Sequence, residues 1–373
     1  MTTARISFVD IPAQYTDIES ELLEGIREIV HSAEFVGGRY LNDFETSLAN
    51  YVGSKYAIGC SDGTSALKLA LLAGGIRPGD KVVVPTNSFI ATANAVVHAG
   101  GIPVMVDCDP QTYLIDLGCL EDELKRNHIS FVIPVHLYGN PCPMDELLAL
   151  CDKYCTQVVE DNAQALGACI QGRRTGSFGL AAGISFYPAK NLGAFGQGGA
   201  VTTNDGDLAR KVRCYVEQGQ GGQRYYHDVV GYNDRLDTIQ AFVLNKLLPK
   251  LDNFNALRLN VANQYAQLFS IDRLQQRTPK SFPVYHLFEF RCDSPHEREV
   301  LAKSLKDHNI GFGFHYPIPI HKQVAYRTYN CPSLPVAERL AETLISLPMH
   351  PYMTSEEIKY VAVIINSALG SVN

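Results

Sequence analysis

The sequence predicts an α/β protein, with a large domain built on a mainly parallel sheet flanked by helices and a smaller C-terminal α/β domain. Three observations predict it. At 373 residues the chain exceeds what one ordinary hydrophobic core fills, so a large domain over 1–250, opened by an N-terminal helix, and a small domain over 251–373 are expected. From residue 55 to 205, short apolar runs alternate with helix-like patterns at the spacing of β-α units. Polar residues then follow the apolar runs directly, at the carboxyl ends of strands where open α/β sheets bind their ligands.

Taken in order, the expected strands are 55–60, 81–85, 103–107, 131–136, 158–161, 183–186 and 200–203. They are short and apolar, as strands covered by helices on both faces must be. Helical patterns fall between them at 65–73 and 144–154. A longer pattern over 238–269 is interrupted at Pro249, whose ring and missing N–H break a helical ladder, and it would bridge the two domains. In the small domain 284–290 reads as strand, and 298–308 and 355–368 as helices.

Composition narrows the function. Hydrophobic residues make up 46% and charged residues 19%, the balance of an ordinary globular protein. A net charge of −7 without any block of Lys and Arg argues against a nucleic-acid partner. The first residues carry no apolar signal and no apolar run nears the roughly 20 residues of a membrane helix. No membrane association is therefore expected, and the cytoplasm is the expected compartment. The ten cysteines include no C-x-x-C pair. Cys151 and Cys155 fall one helical turn apart, but no neighbouring His or Cys completes a ligand set, so reduced thiols and no metal are expected.

Three segments carry chemistry. Ser61-Asp62-Gly63-Thr64-Ser65-Ala66 lies between a strand and an apolar helix, where unpaired amides and the helix dipole favour an anion; a plain Ser or Thr cap is the bland alternative. The apolar strand Val158-Val159-Glu160-Asp161 ends in an acid that a sheet interior tolerates only beside a positive partner, either a cationic ring or a lysine. Lys190 follows the run Ile184-Ser185-Phe186 and precedes Gly193, Gly196, Gly198 and Gly199, four glycines in seven residues. A lysine in such a turn, partly desolvated, is suited to forming an imine, whereas a lone lysine is ordinarily a solvated one.

With these segments placed, the whole chain resembles the DegT family of nucleotide-sugar aminotransferases, which are fold-type I enzymes dependent on pyridoxal 5'-phosphate (PLP). The resemblance is carried, in order, by Asp62-Gly63-Thr64-Ser65-Ala66-Leu67, Ser88-Phe89-Ile90-Ala91-Thr92-Ala93, Asp161-Asn162-Ala163-Gln164, Ser185-Phe186-Tyr187-Pro188-Ala189-Lys190 and Gly231-Tyr232-Asn233-Asp234-Arg235. It implies that Lys190 is the Schiff-base lysine and proton shuttle and that Asp161 is the partner of the pyridine nitrogen. By the same resemblance Gln164 faces the ring oxygen, Phe89 stacks on the ring, and Gly63, Thr64, Ser65 and Ser185 hold the phosphate. Asn233 matches a residue supplied by the neighbouring subunit, which implies a homodimer with shared active sites.

The resemblance further implies amino transfer from L-glutamate to a nucleotide-linked ketosugar, in deoxysugar biosynthesis such as that of lipopolysaccharide O-antigen. A histidine at position 190 would mark the family's dehydratases, so Lys190 favours amino transfer. Arg224, Tyr225 and His227, with Tyr187 beside the lysine, resemble members acting at C-3 of a dTDP-linked 3-keto-6-deoxyhexose. Amination at C-4 and a non-catalytic regulatory relative are the alternatives. His315 and Tyr316 resemble the segment that helps close the sugar site. Arg224 and Gln197 depart from the family's usual Lys and acid, which bears on the nucleotide contacts and the sugar preference.

Overall fold

The computed structural model describes residues 5–329 and 331–370. A seven-stranded sheet organises them, in the spatial order Tyr56–Cys60, Gly199–Thr203, Ala181–Ser185, Gln157–Asp161, Phe131–Val132, Lys81–Pro85 and Ile102–Val106. The last five run parallel to one another, and only Gly199–Thr203 runs against its neighbours. All seven expected runs are strands. One is shorter than its apolar run suggests: the ladder lapses after Val132, just ahead of Pro134, which has no N–H to donate to a central strand.

The helix Gly63–Ala73 buries Ala66, Leu67, Leu69, Ala70 and Leu71 against the strands Ala181–Ser185 and Gly199–Thr203. Glycine is required on the strand side of this contact, because a Cβ at Gly183 would lie 2.7 Å from Leu67. The long C-terminal pattern resolves into Thr238–Leu247 and Leu251–Leu268, joined by the 3₁₀ turn Leu248–Lys250 that contains Pro249.

A separate apolar cluster gathers Val261, Tyr265, Phe290, Leu301, Ile345 and Ile365. It is built from the antiparallel pair Phe288–Arg291 and Leu344–Leu347 and the helices Pro295–Asp307 and Ser355–Gly370. Ile6, near the start of the chain, joins this cluster and bridges to Ile310. None of the described helices is long and apolar enough to cross a membrane.

One buried network fixes the end of the strand that matters most below. Glu160 is fully buried and accepts from His136 Nε2 at 3.1 Å and from the amides of Gly176, Phe178 and Gly179 at 2.7 to 2.9 Å. His136 Nδ1 in turn accepts from the Cys142 amide at 2.9 Å, so the proton sits on Nε2, facing Glu160. Successive strand residues face opposite sides of a sheet, so this anchored glutamate on one face aims Asp161 toward the other.

Candidate active site

The carboxyl ends of the central strands open into a cavity of about 600 Å³. Gly63, Thr64, Phe89, Asp161, Gln164, Ser185, Tyr187, Lys190, His315 and Tyr316, ten of the residues singled out from the sequence, line it.

Lys190 stands in the turn after Ala181–Ser185, its amide bonded to the Tyr187 carbonyl at 2.8 Å. Its ammonium has no hydrogen-bond partner among the described residues. Burial pulls it down to about 8, against an opposing pull from Asp161, so near neutral pH a useful fraction is the nucleophilic amine. Asp161 is buried, and burial raises its carboxyl. Two donors offset part of that effect: the Thr92 hydroxyl donates to Oδ2 at 2.8 Å and the Ala163 amide to Oδ1 at 3.1 Å. Ser88 is 2.9 Å from the Thr92 hydroxyl and extends the support.

Phe89 is about half exposed, and its ring lies 5.5 Å from that of Tyr316. Gln164 is held at both ends of its amide. Its Oε1 accepts from the Tyr138 amide at 2.7 Å, and its Nε2 donates to Tyr316 Oη at 3.0 Å, leaving one N–H for a ligand.

The anion end differs from expectation in one respect. Asp62 caps the helix Gly63–Ala73, accepting from the Ser65 amide at 2.9 Å and from the hydroxyls of Ser61 and Ser65. Burial raises its carboxyl, but the bonds from Ser65 and Ser61 outweigh this and hold it below the usual range. Ser65 is thereby spent inside the cap and does not line the cavity, unlike Gly63 and Thr64. A Cβ on Gly63 would come within 2.7 Å of Ser185 Cβ, so only glycine lets the helix N-terminus meet the end of that strand.

Arg224, Tyr225, His227 and Asn233 are not brought to the cavity of their own chain. They lie on an exposed segment in which Tyr225 is 75% and Val230 90% exposed, and Asn233 accepts from Arg235 at 2.8 Å. Of these four, only Asn233 is expected from a neighbouring subunit; Arg224, Tyr225 and His227 are marked by their likeness to members acting on 3-keto-6-deoxyhexoses.

Three residues around the site escaped the sequence reading. Thr92 sits in a quoted motif, one helical turn after Ser88, yet its hydroxyl reaches Asp161 only through the fold. His286 lines the cavity from within an apolar run, and its Nδ1 meets Asn191 Oδ1 at 3.2 Å. Burial drives His286 well below the usual histidine range, helped by Lys190. A histidine inside an otherwise apolar strand pattern was the available signal. Tyr138, buried on the turn after Phe131–Val132, is the third.

This donor set fits PLP. Lys190 offers an unpaired amine, Asp161 a buried acid poised for a cationic ring nitrogen, and Phe89 an open aromatic face. Gly63, Thr64 and Ser185 form a cradle that a Cβ at position 63 would fill. Fold and site together define a PLP-dependent aminotransferase of fold type I, and PLP is its cofactor.

Residues 16–366 match the DegT/DnrJ/EryC1/StrS aminotransferase family. A UDP-N-acetyl-3-dehydro-alpha-D-glucosamine 3-aminotransferase of Acidithiobacillus ferrooxidans is 40% identical over 366 residues, 98% of each chain. A dTDP-3-amino-3,6-dideoxy-alpha-D-galactopyranose transaminase of Aneurinibacillus thermoaerophilus is 38% identical over 97% of this chain and 99% of its own. The crystal structure of S. venezuelae DesV in complex with a ketimine intermediate superposes with a TM-score of 0.93 at 37% identity, covering 98% of both chains. The chain belongs to the DegT/DnrJ/EryC1/StrS aminotransferase family.

Proposed function

We propose that the protein moves an amino group from L-glutamate to the C-3 keto group of a dTDP-linked 3-keto-6-deoxyhexose, giving a dTDP-3-amino-3,6-dideoxyhexose. The observation that carries amino transfer is Lys190, an amine with no hydrogen-bond partner, pulled down to about 8, in one cavity with Asp161. The C-3 position is supported by the two relatives, both named for a nitrogen at sugar carbon 3. The same comparison favours one second reading, a UDP-linked 3-keto-N-acetylhexosamine acceptor, because the Acidithiobacillus enzyme is named for it.

When bound, PLP supplies an electron sink that makes a substrate carbon acidic. The chain does the rest. Lys190 Nζ takes a proton from the donor's carbon and, in the second half-reaction, delivers one to the sugar carbon. With PLP bound, the Asp161 carboxylate would hold a proton at the pyridine nitrogen, Phe89 would offer its ring as a stacking partner, Gln164 would have one N–H left to give, and the Gly63 and Thr64 amides with the Ser185 hydroxyl would hold the phosphate. Tyr187, His315 and Tyr316 form the sugar side. Arg224, Tyr225, His227 and Asn233 enter from the partner protomer of a homodimer, a placement supported by the large apolar side chains their segment leaves uncovered.

Incubating the holoenzyme with L-glutamate and a panel of dTDP-, UDP- and GDP-linked ketosugars tests this reading. Formation of 2-oxoglutarate with amination of the dTDP-3-keto-6-deoxyhexose is expected. Turnover confined to the UDP sugar favours the second reading. Bound cofactor that glutamate leaves unchanged, with no ketosugar aminated, contradicts both.

A further inference from the structure

His315 enters the cavity with a chain of buried groups behind it. Its Nδ1 is 2.7 Å from Ser346 Oγ, and Ser346 Oγ is 2.5 Å from Glu289 Oε1. Ser346 and Glu289 are both buried, on the paired strands Leu344–Leu347 and Phe288–Arg291 and directly opposite each other in register. The ring stacks on Phe8 at 5.7 Å, and the backbone beneath it is held by Tyr138 Oη, which donates to the His315 carbonyl. His315 Nε2 has no hydrogen-bond partner among the described residues, so it is the nitrogen left for a ligand in the cavity. Glu289 Oε2 is buried and also unpartnered.

We propose that Glu289, through Ser346, sets which hydrogen bond His315 offers a sugar in the cavity: a donor while Glu289 carries its proton, an acceptor once that proton is lost. The inference rests on the reading of this cavity as the ketosugar site. The chemistry follows from counting hydrogens. An ionised Glu289 can only accept, so Ser346 must donate to it and must accept from His315 Nδ1–H, which leaves Nε2 bare. In a protonated Glu289 the one placement that meets a partner puts the proton on Oε1, because Oε2 faces none. Glu289 then donates to Ser346, Ser346 donates to Nδ1, and Nε2 carries the ring hydrogen. Three hydrogens in the chain become two, one proton leaves to solvent, and the ring stays neutral in both states.

The surroundings agree with this. Burial pushes Glu289 up to about 8, only partly opposed by the Ser346 bond, so both states are populated in the working pH range. His315 is pulled down to about 4 by burial and by Lys190, so its charge does not change in that window. The other titratable groups facing Glu289 are Tyr113, Tyr138 and Tyr316, all pushed up by burial, and no cation forms an ion pair with it among the described residues. His315 is faced by Lys190 and His286. A keto oxygen and pyrophosphate oxygens only accept, so the donor form suits them and the acceptor form opposes them.

The test reads the tautomer directly, by nitrogen-15 NMR of the His315 ring in the holoenzyme below and above pH 8, alongside the KM for the ketosugar. The proton is expected to move from Nε2 to Nδ1 as the pH rises, with KM rising about tenfold, the worth of one hydrogen bond. Lys190 titrates in the same window, so the decisive comparison is with Glu289→Gln and Ser346→Ala. In both variants the pH-dependent rise in KM should vanish, while the glutamate half-reaction keeps its wild-type pH profile. A tautomer that is the same on both sides of pH 8, or the same change in Glu289→Gln, overturns the relay, as does a KM that ignores the change. A tautomer shift in an enzyme that aminates no ketosugar supports the relay and removes the substrate reading instead.

Discussion

Lys190→Ala lowers the rate of amino transfer by about 10⁴-fold, because both half-reactions lose the group that moves the proton. The chain has no substitute in place. His286 and His315 line the same cavity, but both are held far below the usual histidine range and are weak bases there. Lys190→Arg separates the proton from the charge. It keeps a cation in the turn, yet its guanidinium does not release a proton near neutral pH, so its loss should match that of alanine. In wild type the second half-reaction needs Lys190 as the free amine. With its ammonium at about 8, that step slows as the pH falls below 8, approaching tenfold per pH unit. Single-turnover kinetics on each half-reaction measure these effects. An alanine variant with near wild-type rates would remove Lys190 from the mechanism.

Asp161→Asn has the second largest expected effect, about 10²- to 10³-fold in kcat, the usual consequence of removing one preorganised electrostatic partner from a buried site. The change is nearly isosteric. The Ala163 amide can still donate to the one amide oxygen, and the Thr92 hydroxyl can turn to accept from the amide N–H, so the fold should persist and the loss should appear as chemistry. Burial raises the Asp161 carboxyl even against the bonds from Thr92 and Ala163 and the pull of Lys190; a cationic ring nitrogen beside it would shift that balance toward the carboxylate. Asparagine carries no charge to hold a proton at the ring nitrogen, so the electron sink that bound PLP would supply would be weakened. The measurement is kcat together with the visible spectrum of the bound cofactor. Unchanged kcat in Asp161→Asn would assign the carboxylate a structural role.

Much of the sheet was legible because each strand is a short apolar run closed by a polar or glycine-rich turn. Two details were not. The reversed direction of Gly199–Thr203 leaves no mark in a run that reads the same either way, and the loss of the ladder after Val132 depends on one proline. In the site, Asp161 stands out in the sequence as the acid that closes the apolar strand Val158–Asp161 and Lys190 as the lysine ahead of a glycine-rich run, whereas Gln164 and Ser185 are marked only by the resemblance; the fold brings all four to one cavity. Ser65, expected at the anion end, bonds instead to its cap partner Asp62, which sits beside the same motif and draws the amide into local capping. Thr92, Tyr138 and the Glu289–Ser346 pair act through contacts between distant segments, which no local pattern records. Arg224, Tyr225, His227 and Asn233 lie on an exposed segment away from the cavity of their own chain, a placement that their motif does not record.

The most direct test of the central claim follows a labelled nitrogen. The holoenzyme, given L-glutamate labelled with nitrogen-15 and a dTDP-linked 3-keto-6-deoxyhexose, should produce a sugar whose NMR spectrum shows nitrogen-15 bonded to carbon 3, and Lys190→Ala should produce none. Label at carbon 4, or label retained entirely in glutamate while the wild-type protein binds PLP, would contradict the account.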